Sequence, residues 1–104
     1  MASFQDRKGG TWTVEILIGQ IQRLREAGFD VGAIRTDQEA VSRLTDTDTF
    51  SRVITILCEE QIEDRKLSVP DFAKLFNGPT IFAAIRTIIG ALADFTQPPT
   101  VAAE

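Results

Sequence analysis

The sequence predicts a mostly α fold, with a short N-terminal β-hairpin packed on a compact bundle of about five helices. Three observations lead there. Alternation of apolar and polar residues next to a Gly-Gly pair occurs once, near the amino end. From Leu17 onward, apolar residues recur at helical spacing, and Gly, Pro, Asp and Asn punctuate the runs. The chain has 104 residues, 43% hydrophobic and 25% charged, which suits one two-layered domain. That domain is expected over residues 1–96, with a loose tail over 97–104, where Pro98-Pro99 forbids further helix.

The hairpin is expected over residues 3–17. Phe4 starts an extended piece, Lys8-Gly9-Gly10 supplies a turn that tolerates positive φ, and Thr11 to Ile16 alternates. Trp12, Val14 and Ile16 share one face, and Thr11, Thr13 and Glu15 the other. An isolated two-stranded hairpin is marginal, so the apolar face should pack on a helix.

The first helix is expected from Leu17 to Ala27, with Leu17, Ile21 and Leu24 inward and Gly28 ending it. A connector, Phe29 to Ile34, carries apolar pegs. Thr36 and Glu39 have the spacing of a capping box and start a short second helix, with Val41 and Leu44 inward. Asp46-Thr47-Asp48 then caps a third helix, Thr49 to Asp64, whose inner face is Phe50, Val53, Ile54, Leu57, Cys58 and Ile62. Ser68-Val69-Pro70-Asp71 opens a short fourth helix with Phe72, Leu75 and Phe76 on its apolar face. Asn77-Gly78-Pro79 stops it and starts the fifth.

That fifth helix, Thr80 to Phe95, has only two charged residues, Arg86 and Asp94. At 100° per residue, Phe95, Ile88, Ile81, Leu92, Ile85, Ile89 and Phe82 spread over an arc of roughly 140°. A surface helix typically needs an apolar stripe of about 100°. The excess implies cover from several neighbouring helices or from another chain. Ile81, Phe82, Ile85, Ile88, Ile89 and Leu92 are therefore candidate partner-binding residues. Ile56 joins them, because it projects from the polar side of the third helix among Arg52, Glu60 and Glu63.

Net charge is −4, and the tightest basic pairs, Arg7-Lys8 and Arg65-Lys66, sit in turns beside acids. Arg23 and Arg25 point to opposite sides of the first helix. Neither arrangement is a phosphate clamp, and a helix-turn-helix built on helices two and three would present Glu59, Glu60 and Glu63 to DNA. No nucleic-acid partner is expected. The amino end lacks the apolar core of a signal peptide, the longest apolar stretch falls short of the roughly 20 residues of a membrane span, and a single cysteine permits no internal disulfide. A cytoplasmic protein without membrane contact is the expectation.

The chain contains no histidine and no tyrosine, which removes histidine-based triads and the commonest metal ligand. Glu59 and Glu63 lie one turn apart, as solvated charges on a helix flank do, and no partner acid raises a pKa. Asp46-Thr47-Asp48 opens like a calcium loop, but Phe50 and Ser51 occupy the next ligand and glycine positions. Gly28 and Gly32 do not form a dinucleotide fingerprint. Cys58 falls inside the apolar stripe, beside Glu59 and Glu60, as an inert core thiol does. No enzymatic activity, cofactor or metal is expected.

From Trp12 to Phe95 the layout resembles the small tail assembly chaperones of long-tailed bacteriophages and prophages. The residues that carry the likeness are Trp12, Ile21, Arg25, Asp30, Leu44, Gln61, Phe72, Gly78 and Phe95, set in segments such as Ile-Gln-Arg-Leu-Arg-Glu-Ala-Gly-Phe-Asp-Val and Ser-Val-Pro-Asp-Phe-Ala-Lys-Leu-Phe-Asn-Gly. Asp30-Val31-Gly32 departs from the usual Asp-Leu. The resemblance implies binding, without chemistry, to the tape-measure protein and in some cases the tail-tube protein, in the cytoplasm of a bacterial host. The alternatives are a structural or homo-oligomeric tail component and a helical adaptor unrelated to phage.

Overall fold

A computed structural model describes residues 2–96; the expected tail lies outside the described residues. Strands β1 (Ala2–Gln5) and β2 (Thr11–Val14) form an antiparallel hairpin, with Phe4 opposite Trp12. A 3-10 turn (Ile18–Gln20) leads into α1 (Ile21–Glu26), followed by α2 (Asp37–Leu44), α3 (Thr47–Leu57), α4 (Glu59–Asp64), α5 (Val69–Ala73) and α6 (Gly78–Thr96). This is the expected architecture, mostly α with an N-terminal hairpin, although the third helix is divided in two.

The hairpin turn is organised by Asp6. Gly9 supplies the positive φ (+86°), and the Asp6 carboxylate accepts from the amides of Lys8 (2.8 Å) and Gly10 (3.0 Å). Its other oxygen accepts from the buried Trp12 indole N–H at 2.8 Å. Burial pushes the Asp6 carboxyl up. These three bonds and the nearby Arg65 outweigh it, holding the pKa below its ordinary value of 3.8.

Trp12, Val14 and Ile16 are buried as their alternation requires. The outer edge of β2 is closed by α4. Gln61 accepts from the Thr13 amide (2.9 Å) and donates to the Thr13 carbonyl (2.7 Å), taking the place of a third strand. Arg65 donates to the Thr11 carbonyl and lies 3.9 Å from the Trp12 ring centroid. A bare strand edge invites pairing with other chains, and these side chains remove that hazard. On the other side, Thr87 of α6 donates to the Ser3 carbonyl at 3.0 Å.

The division of the third helix falls at Cys58 (φ −105°, ψ 10°). The bend sets α4 against β2, where Gln61 and Arg65 act, while Ile62 stays in the core. Phe50, Val53, Ile54, Leu57 and Cys58 are buried as expected. An aromatic chain runs through the centre, from Trp12 to Phe72 (4.9 Å), Phe72 to Phe76 (5.1 Å) and Phe76 to Phe50 (5.6 Å). Tilted and edge-on contacts of this kind add to the burial of the rings themselves.

Three local expectations are corrected. Leu17 does not enter the first helix; it is extended and 50% exposed, because the Gln20 side chain holds its amide and starts a 3-10 turn instead. Val41 is exposed, and the smaller Ala40 is buried in its place with Leu44 one turn on. Asp46 occupies the N-cap of α3, but its carboxylate accepts from the Thr49 hydroxyl (2.7 Å), not from a backbone amide. α3 begins at Thr47, two residues earlier than expected, and α5 stops at Ala73, short of Leu75 and Phe76; three other ends are as read. Thr36 accepts from the Glu39 amide, with Glu39 reaching back to Arg35, and Ser68 accepts from the Asp71 amide. Gly28 (φ +98°) closes α1, with its amide bonded to Arg25 and that of Phe29 to Leu24.

Candidate partner-binding surface

The inner side of α6 belongs to the core. Ala84, Ile85, Ile88, Ala91 and Leu92 are buried, Ile88 completely. Ile85, Ile88 and Leu92 are thus removed from the candidate contact residues, since β1 and α2 pack along this helix and cover the middle of its apolar arc. Ile81 and Ile89 are half-buried and packed against the core. Phe82 is 64% exposed.

Three exposed positions on α6 and the half-buried Ile89 fall on one side. Phe82, Arg86, Ile89 and Ala93 lie within about 60° of arc at 100° per residue, and Arg86 is the only charge among them. From Phe82 to Ala93 this strip runs for roughly 16 Å. Its far end enters a groove of about 650 Å³, whose apolar walls are Ile21, Val31, Ile34, Leu92, Ala93 and Phe95. Arg35, Thr36 and Asp37 stand at its polar side. An apolar strip opening into an apolar groove suits a helix of another protein better than a small polar ligand.

Ile56 does not join this surface. It is half-buried and lines a separate cleft with Leu17 and Gln20, to which α6 contributes no residue. Two exposed apolar residues, Leu17 and Ile18, escaped the sequence reading; Ile18 is 81% exposed. The signal was present in Ile16-Leu17-Ile18, three consecutive apolar residues that no single strand or helix face can bury together.

Arg23 grips both oxygens of Glu59 (2.8 and 3.0 Å), and this hydrogen bonding holds the Glu59 carboxyl below its usual range. That is the opposite of the raised value a general acid needs. Burial pushes the Cys58 thiol up to about 12, so it stays protonated. No group of three or more potential metal ligands occurs among the described residues. By length and composition Gly78–Phe95, with a mean hydropathy of 1.3, meets the requirement for a membrane-crossing helix. Core helices meet it as well, and this one supplies five side chains to the core. No protein-family model, curated protein or solved structure matches the chain.

Proposed function

We propose that the protein is a non-enzymatic carrier that covers an apolar helical segment of another protein. Its resemblance to the phage tail assembly chaperones makes the tape-measure protein, and secondarily the tail-tube protein, the client. The observation that carries the binding role is Phe82, which is 64% exposed on a helix whose opposite side is buried in the core. Full burial of a phenylalanine contributes about 1.5–3 kcal/mol, so covering Phe82 and the rest of Ile89 recovers a few kcal/mol for the complex. A tape-measure protein is a long apolar helix that aggregates before its tube closes around it. A small acidic carrier with net charge −4 keeps such a complex dispersed.

Coexpression tests this reading. A tape-measure protein coexpressed with this chain should stay soluble in its presence and precipitate without it. Mass spectrometry of purified particles separates the carrier from a structural tail component, because a carrier leaves before maturation. Finding this chain at structural copy number in virions would refute the chaperone role.

A further inference from the structure

The cleft beneath the 3-10 turn joins exposed apolar side chains, a half-buried apolar floor and an acidic rim. Leu17 and Ile18 project from a turn that cannot fold them inward. Gln20 holds it with one side chain, accepting from the Leu17 amide (2.9 Å) and donating to the Ile56 carbonyl (3.5 Å). The backbone that carries these two side chains is therefore fixed before any partner arrives, which lowers the ordering cost of a contact. Ile56 adds a half-buried apolar floor beside Leu17 in a cleft of about 360 Å³.

The rim is acidic. Glu15, Glu59 and Glu60 line the cleft against a single cation, Arg23, which is already committed to Glu59. Among the described residues Glu15 and Glu60 have no ion-pair partner. An apolar centre with surplus negative charge at its edge complements one kind of occupant.

We propose that this cleft is a second docking surface, for an amphipathic helix of a partner protein that carries branched apolar side chains flanked by lysine or arginine. The apolar side chains of that helix cover Leu17 and Ile56 in the cleft and extend over the neighbouring Ile18, which stands outside the lining, while its basic residues meet Glu15 and Glu60. The site is independent of the α6 strip and does not rest on the tail-chaperone reading.

Fluorescence anisotropy tests the assignment with a labelled amphipathic Leu/Lys peptide of about eighteen residues, long enough to form a helix. A twin with every Lys replaced by Glu is the control. The full chain should bind the Lys peptide roughly tenfold more tightly than the twin, and Glu15→Lys with Glu60→Lys should reverse that preference. Ile18→Ser, at a solvent-exposed position, should weaken the Lys peptide by roughly tenfold, whereas Val69→Ser, at an exposed apolar position outside both surfaces, should leave it unchanged. Three results would overturn the proposal: equal or no binding of the two peptides, or loss of binding in Val69→Ser with Ile18→Ser unaffected. The third is sedimentation showing that the free chain self-associates and that Ile18→Ser abolishes it, which makes the occupant a second copy.

Discussion

Replacing Asp6 is the sharpest test of how this small domain holds its hairpin. Asp6→Ala strips three donors of their acceptor: the Trp12 indole N–H and the amides of Lys8 and Gly10. Trp12 is fully buried, so its N–H finds no water. An orphaned buried donor costs about 1–3 kcal/mol, and two part-buried turn bonds add about 1 kcal/mol together, for a loss near 3 kcal/mol. For a domain of this size that lowers Tm by roughly 15 °C. Asp6→Asn keeps an oxygen for the turn amides but sets an NH2 group against the indole N–H, and should lose about 2 kcal/mol. Urea unfolding followed by the fluorescence of Trp12, the sole tryptophan, measures both. The wild type carries an acid signature too. Because the folded pKa of Asp6 is depressed, its contribution is present above the unfolded value and is lost as pH falls through the folded one. Asp6→Asn should lack that component of acid destabilisation. A midpoint for Asp6→Ala within experimental error of the wild type would refute the reasoning.

Removing the Gln61 clasp by Gln61→Ala leaves the Thr13 amide and carbonyl without their partners, for a loss of about 1–2 kcal/mol in urea melts. Gly28→Ala forces a side chain into a positive φ and sets its Cβ 3.4 Å from the Thr49 hydroxyl; about 1 kcal/mol of stability should disappear. The two sides of α6 should respond oppositely. Ile88→Ala opens the core and costs about 3 kcal/mol, whereas Phe82→Glu changes thermal stability by less than about 0.5 kcal/mol. Cys58, with its thiol pKa near 12, should resist iodoacetamide at pH 8 in the native protein and react in 6 M urea, as intact-mass spectrometry reads directly.

Legibility in the sequence followed the range of the interactions involved. Helix ends were readable where a short-range device sets them, as at Gly28, Thr36 and Ser68. The buried face of α3 was readable from its period. What escaped depended on partners far away in the chain, with Leu17 and its neighbour Gln20 the local exception. Gln61 bends the third helix toward Thr13, 48 positions earlier, and nothing local to Cys58 announces it. Gln20 diverts Leu17 out of the first helix by a bond three residues long that competes with a perfectly plausible helical start. On α6 the sequence marked an apolar arc too wide for one neighbour but not which part the hairpin and α2 would cover. Ile85, Ile88 and Leu92 went to the core, and Phe82 remained outside. Ile56 was placed with that strip because angular position on a helix says nothing about which other element stands beside it.

The decisive measurement is calorimetric titration of an apolar helical segment of a tape-measure protein, the proposed client, into the purified chain and into Phe82→Glu. The α6 strip as the contact requires at least roughly tenfold weaker binding by the variant at unchanged Tm, from loss of one buried aromatic. Equal affinity for wild type and variant, with both fully folded, would contradict it.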